Sequence, residues 1–160
     1  MDHPQFLLTK ALSLGNGRIE IGFADGFTGE VDLGEVASRY PSLARLGASD
    51  VVENVAMDEW KRGVVFAGKD ELGLASDNLR AMAIEQAGGF SHQQVITWMS
   101  HHGMSLDAAA DALDISRRIL AYYRSGARLV PRTVGLAMLG WEVCSGTTPA
   151  FVRYRELGSP

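Results

Sequence analysis

Five arginines fall between Ile115 and Arg132, at positions 117, 118, 124, 128 and 132, with no Asp or Glu among them. A guanidinium is planar, always charged and carries five donors in a fixed fork. It therefore suits carboxylates, phosphates and the paired acceptors on the edge of a guanine. On a helix that begins after Ser116, Arg117, Arg118, Ala121 and Tyr122 stand at i, i+1, i+4 and i+5 and share one exposed stripe. Ser105 and Ser116 each precede a helical pattern, and the free amides at such a start attract anions. This segment is equipped for recognition rather than for making or breaking bonds.

Other chemistry-bearing residues are not arranged for catalysis. His101 and His102 are adjacent, so their rings diverge on a helix, and no Cys or spaced carboxylate joins them or His92 as a metal site. All three read as surface histidines. Cys144 is the one cysteine; it follows an apolar helical pattern and reads as a packed thiol, with no disulfide to form. Gly68-Lys69 lacks the upstream glycine and the Ser/Thr of a phosphate loop, and no GxGxxG follows a strand. No nucleophile, base and orienting group come together. The expectation is a protein that is not an enzyme and has no catalytic residues, cofactor or metal.

The charges are unevenly spread. Residues 1–89 hold eight Lys+Arg and fourteen Asp+Glu, whereas residues 90–160 hold seven Arg and five acids. The first part is thus strongly acidic and the second mildly basic, within a total of −4. Such asymmetry bears on partners, not on fold. At 46% hydrophobic and 21% charged, the composition is that of a globular protein. No apolar run approaches the roughly 18–20 residues of a membrane span. MDHPQF is not a secretory start. These features predict a cytoplasmic protein with no membrane partner.

The elements that must position the arginines follow from periodicity. Residues 6–14, 18–23 and 29–33 read as strands separated by Gly15-Asn16-Gly17 and Asp25-Gly26, an antiparallel meander polar on one face. A short helix over 38–46, strands over 51–57 and 63–67, and a helix from Ser76 to Gln86 complete this part, with Leu79, Met82 and Ala83 on the helix's apolar face. Ala87-Gly88-Gly89 then marks a boundary. Beyond it, Ser91 and Gln94 form a capping box, and Phe90 and Val95 fall where a hydrophobic staple would sit. Ser105 caps a helix through Leu113, Ser116 one that ends at Gly126, and Pro131 enters the first turn of another. That last helix carries Val134, Leu136, Met138, Leu139 and Trp141. Thr148-Pro149 opens a further short helix through Leu157. Trp60, Trp98 and Trp141 read as core. The expected fold class is α+β: an antiparallel-sheet domain over 1–88 and an all-α domain over 89–160.

Residues 104–126 align without a gap to the helix-turn-helix pattern of phage repressors. Met104 takes the leading apolar position, Ala109-Ala110 the central pair, and Leu113 and Ile115 the flanks of the turn. Ser116-Arg117 matches the opening of the recognition helix, Tyr123 the aromatic near its end, and Gly126 the closing glycine. The segment resembles the phage-repressor-like (XRE-type) family of DNA-binding proteins. It departs from the pattern at Asp114, where Gly is usual, and at Leu106, where a phosphate-binding Gln is common. Asp tolerates the left-handed conformation that the turn requires. The first half resembles, more faintly, the small bacterial family called domain of unknown function 2442, through Phe23-Ala24-Asp25-Gly26, Val31-Asp32-Leu33, Pro41, Leu46 and residues 55–65. No activity comes with that likeness.

The repressor-like resemblance implies a lambda-repressor-like fold for 89–160 and sequence-specific binding of double-stranded DNA, as a transcriptional regulator. The recognition helix at 116–125 would enter the major groove. Arg117, Arg118, Ala121 and Tyr122 would contact bases, and Ser105, Ser116, Arg124, Arg128 and Arg132 would contact phosphates. A guanidinium bonded to both acceptors of a guanine discriminates by about 1–3 kcal/mol. A homodimer on half-sites about 34 Å apart is the expected working unit. The acidic first domain would then face away from the duplex and serve dimerisation, a protein partner or a small-molecule effector. The alternative is a protein-interaction or antitoxin-like module whose helix-turn-helix no longer binds DNA, a reading favoured by Leu106.

Overall fold

A computed structural model of the chain describes residues 3–67 and 69–154. The fold is α+β, as expected, and the chain divides into two compact units, Met1–Ala83 and Ile84–Pro160.

The first unit carries two three-stranded antiparallel sheets. In one, β1 (Leu8–Gly15), β2 (Arg18–Phe23) and β3 (Thr28–Asp32) form the meander, with Ile19 opposite Ser13 and Val31. Alternation sends Leu8, Ile19, Ile21 and Val31 into the core. The other face carries the ion pairs Lys10–Glu20 and Arg18–Glu30. The pleat thus separates apolar from charged side chains residue by residue.

The chain after β3 departs from the expected helix at 38–46. Asp32 ends the strand by capping α1 (Leu33–Arg39), its carboxylate accepting from the amides of Gly34 at 2.9 Å and Glu35 at 3.2 Å. A 3₁₀ stretch follows over Pro41–Gly47, entered through its proline, and then the short α2 (Ser49–Val52). Val51 and Val52 are therefore helical, and the expected strand over 51–57 shrinks to β4 (Val55–Met57). It pairs with β5 (Gly63–Phe66), which pairs with β6 (Lys69–Ala75), a strand not expected from the sequence. Trp60, expected in the core, is 73% exposed in the β4–β5 connection.

α3 (Ser76–Gln86) buries Leu79 and Ala83, with Met82 partly buried, against the core of the first unit. From the same helix, buried Arg80 reaches both carboxylate oxygens of Asp25, at 3.1 and 2.8 Å, and donates to the carbonyl of Gln5 at 3.1 Å. Its guanidinium also stacks over Phe27 and Phe23, at 4.5 and 5.2 Å from the ring centroids. The β2–β3 turn is thereby stapled to α3.

The described residues of the second unit beyond α3 form four α-helices: α4 (His92–His101), α5 (Leu106–Leu113), α6 (Arg117–Ser125) and α7 (Arg132–Ser145). Their core holds Val95, Trp98, Ala109, Leu120 and Met138. Pro131, expected within the first turn of α7, stands just before it at the N-cap position. Leu136 is exposed, and so is Cys144, expected to be packed. No helix forms over 148–154, and the rest of the helix expected through Leu157 lies outside the described residues. The chain instead turns back after Gly146, and the Ala150 amide donates to Glu142 Oε1 at 2.9 Å. Among the described residues no helix is long and apolar enough to cross a membrane.

Candidate functional site

The arginine-bearing helix is held by caps and small residues. The Ser91 hydroxyl accepts from the Gln94 amide while the Gln94 side chain accepts from the Ser91 amide, both at 3.1 Å. This capping box fixes the start of α4. Glu85, near the end of α3, accepts from Ser91 Oγ at 2.9 Å and from Gln94 Nε2 at 3.2 Å. Ser105 caps α5 by accepting from the Ala108 amide at 3.1 Å. Buried Ala109 and Ala110 have no bulk beyond Cβ, so neighbouring helices can approach closely at these positions.

Between α5 and α6, Asp114 takes the left-handed conformation with φ 54° and ψ 44°. The next residues return toward α5, the Ile115 amide donating to the Ala110 carbonyl at 3.1 Å. Ser116 Oγ accepts from the Ile119 amide at 3.1 Å and starts α6. Leu120 is fully buried, with Leu113, Ile115 and Tyr123 packed in the same core. The opposite face of α6 points outward. Arg117 and Arg118 are exposed, and Ala121 and Tyr122 half-buried. The helix stops at Gly126, whose φ of 75° is open to a residue without Cβ.

The predicted arginines differ in their surroundings. Arg117 Nε lies 3.5 Å from Asp107 Oδ1, with both side chains about two-thirds exposed to solvent. Such a pair is worth about 0–1 kcal/mol and yields easily to a stronger anion. Arg118 Nε donates to the Tyr122 hydroxyl at 3.2 Å. Arg128, beyond the helix end, lies over the same ring at 4.7 Å, and its amide donates to the Tyr122 carbonyl at 3.3 Å. The hydrogen bond from Arg118, and then its charge, lower the Tyr122 phenol below its ordinary pKa, and the same bond, then the charge of the Tyr122 phenolate, raise that of Arg118. Arg124 and Arg132 are exposed and hold no ion pair among the described residues. Ser105 and Ser116 are exposed at the starts of their helices. Leu106, at the position where a Gln is common, is partly buried against the core.

The sequence reading missed two features of this unit. The pairing of Arg117 with Asp107 joins positions on two helices and has no local signal. The histidines are not all superficial: His92 is buried, and the side chains of His102 and Glu142 are each about 5% exposed, with Nε2 and Oε1 2.9 Å apart. His102 also lies edge-on to Trp98 and Trp141. This contact ties α4 to α7 and, through the Ala150 amide, to the segment that follows. Among the described residues, no three His, Cys, Asp or Glu are grouped to hold a metal.

The fold and this site define a class: a two-unit α+β protein whose helical unit presents a short, capped helix with exposed arginines beside a tight left-handed turn. No protein-family model matches the chain, and no curated protein does. Among solved structures, the chain is similar to the putative DNA binding protein NE0471 from Nitrosomonas europaea ATCC 19718. The TM-score is 0.75 and the identity 34%, over 92% of this chain and 93% of that one. The chain belongs to the family of that protein.

Proposed function

We propose that the protein is a sequence-specific DNA-binding protein, a transcriptional regulator that acts as a dimer through α6. The observation that carries this reading is the outward face of α6. Arg117 and Arg118 stand exposed in its first turn, while Leu120 on the opposite face is fully buried. The left-handed Asp114 turn and the two serine caps support it, because they fix the angle at which α6 leaves α5. The relative NE0471 supports it as well, being itself called a putative DNA binding protein. In this reading Arg117, Arg118, Ala121 and Tyr122 meet bases. Ser105, Ser116, Arg124, Arg128 and Arg132 meet phosphates, and unit one serves dimerisation or a partner.

Fluorescence anisotropy with random and selected duplexes at two salt concentrations tests it. If all five arginines neutralise phosphates, the slope of log K against log salt is about −4 to −5 per protomer. Arg117→Ala with Arg118→Ala lowers affinity for the selected duplex roughly 30- to 100-fold. Weak affinity that ignores both salt and these substitutions would refute it. Such a result would favour the second reading, a protein-docking surface. Two observations favour that alternative: Leu106 is given over to the core, and Arg117 already has Asp107 beside it.

A further inference from the structure

We infer that Tyr122 is a positioning residue: its ring is a platform that holds Arg118 and Arg128 together as one preformed grip on the phosphate backbone of the duplex. This rests on the DNA-binding reading above and changes two roles within it: Tyr122 goes from touching a base to arranging two cations, and Arg118 from meeting a base to meeting a phosphate.

The geometry comes from both ends of the ring. Arg118 is one turn earlier on α6, so its side chain runs alongside Tyr122, donating to the hydroxyl at 3.2 Å with its guanidinium carbon 5.8 Å from the ring centroid. Arg128 comes from outside the helix. Gly126 turns the chain back, and the Arg128 amide and Ser125 hydroxyl donate to the Tyr122 carbonyl at 3.3 and 3.2 Å. The Ala127 amide in turn donates to Ser125 Oγ at 3.3 Å. The loop is thus laced to the last turn of α6, which sets the Arg128 guanidinium 4.7 Å above the ring.

A guanidinium stacked on an aromatic face keeps its edge donors available while losing much of its rotamer freedom. Two such groups on one ring therefore bind a phosphodiester with less ordering left to do than two independent arginines. The lowered pKa of the Tyr122 phenol, caused first by the Arg118 hydrogen bond and then by its charge, agrees with this contact. Arg124 and Arg132 have no such partner in the described residues and act as separate charges.

A double-mutant cycle on the full chain tests this with a labelled random-sequence duplex of about 30 bp at low salt. Tyr122→Leu and Arg128→Ala are each expected to weaken binding roughly five- to tenfold, and the double variant no more than the worse single one. Tyr122→Phe keeps the ring and loses the Arg118 bond, so it falls between wild type and Tyr122→Leu, and it covers the case in which the Leu variant unfolds. In the free protein, the Tyr122 phenol, assigned by difference from Tyr122→Phe, moves up in alkaline titration when Arg118 becomes Ala. Additive losses in the cycle, or an unmoved phenol, overturn the platform. If wild type binds and Arg117→Ala weakens it while the cycle is additive, only the platform falls. A wild type without duplex affinity removes the underlying reading and the platform's role with it.

Discussion

Arg80 in the first unit and Arg118 in the second are both helical arginines beside aromatic rings, yet their surroundings make them opposite things. Arg80 is 2% exposed, its fork closed on the Asp25 carboxylate and the Gln5 carbonyl, its faces over Phe23 and Phe27. Arg118 is exposed, and its one hydrogen-bond partner in the described residues is a neutral hydroxyl. The rest of each unit follows suit. In the first, two further ion pairs, Lys10–Glu20 and Arg18–Glu30, cross the outer face of a sheet. In the second, five arginines occupy a stretch without a single acid. The charge of Arg80 is met by a carboxylate within its unit, whereas that of Arg118 faces solvent; exposed Arg117, 3.5 Å from Asp107, stands between the two cases.

The sharpest break of that comparison is to truncate one arginine of each kind. Arg80→Ala leaves Asp25 facing a vacated, buried site and removes the staple on the β2–β3 turn. A loss of about 3–5 kcal/mol is expected, read by denaturant unfolding and by faster amide exchange in β1–β3. Asp25 is about a quarter exposed, so the loss belongs at the lower end of that range. Arg118→Ala is expected to leave the unfolding midpoint where it was and to cost duplex affinity instead. Equal stability losses from the two would erase the distinction.

Packing in the helical unit should respond almost as strongly, but at a glycine. A Cβ on Gly135 would lie 2.1 Å from the Phe90 ring, whereas one on Gly140, on the same helix, would meet nothing within 4 Å. Gly135→Ala is therefore expected to destabilise by about 1–3 kcal/mol or more through overpacking. Gly140→Ala is expected to stabilise by up to about 1 kcal/mol through helix propensity. Thermal midpoints moving in opposite directions would bear this out, and a shared direction would contradict it.

The serine caps come next in size. Ser105→Ala and Ser116→Ala are each expected to cost about 1 kcal/mol, since each leaves one amide of a first turn without its partner. If those hydroxyls also meet phosphates, duplex affinity falls beyond what the stability loss explains. Hydrogen exchange in α5 and α6, set beside anisotropy on the same variants, separates the two effects.

These caps were also what the sequence showed most clearly, because a cap is a local pattern. Ser91 with Gln94, Ser105 and Ser116 each announce a helix within four residues, and the outward stripe of α6 follows from its period. What the sequence hid depended on distance or on competing local signals. Residues 29–33 alternate like a strand, yet Asp32 uses its carboxylate to start α1 one residue after the alternation has served β3. β6 begins with Lys-Asp-Glu, which reads as loop, and only its pairing with β5 makes it a strand. His102 and Glu142 lie 40 residues apart, and nothing local says that both will be buried together. The site was legible to the same degree. The i, i+4 relation of Arg118 and Tyr122 can be counted, but Arg128 reaches the ring only because Gly126 reverses the chain.

The smallest expected effect concerns backbone strain, which both units contain outside glycine. Asp114 in the helical unit has φ 54°, and Ala67 in the first has φ 52°. The left-handed region crowds Cβ against the following carbonyl, and glycine avoids that cost. Substitution to Gly also loosens the unfolded chain, which opposes the gain by about 0.4–1 kcal/mol. Asp enters this region more readily than Ala, so the relief at Asp114 is the smaller of the two. Asp114→Gly should therefore end near neutral, within about 0.5 kcal/mol, whereas Ala67→Gly should end stabilised by up to about 1 kcal/mol. Asp114→Ala, lacking that tolerance, should destabilise by about 1 kcal/mol. Denaturant midpoints of the three variants decide the matter. If Asp114→Gly stabilises as much as Ala67→Gly, then the aspartate at the turn is as strained as an alanine, and its tolerance of that conformation does not account for the turn forming without a glycine.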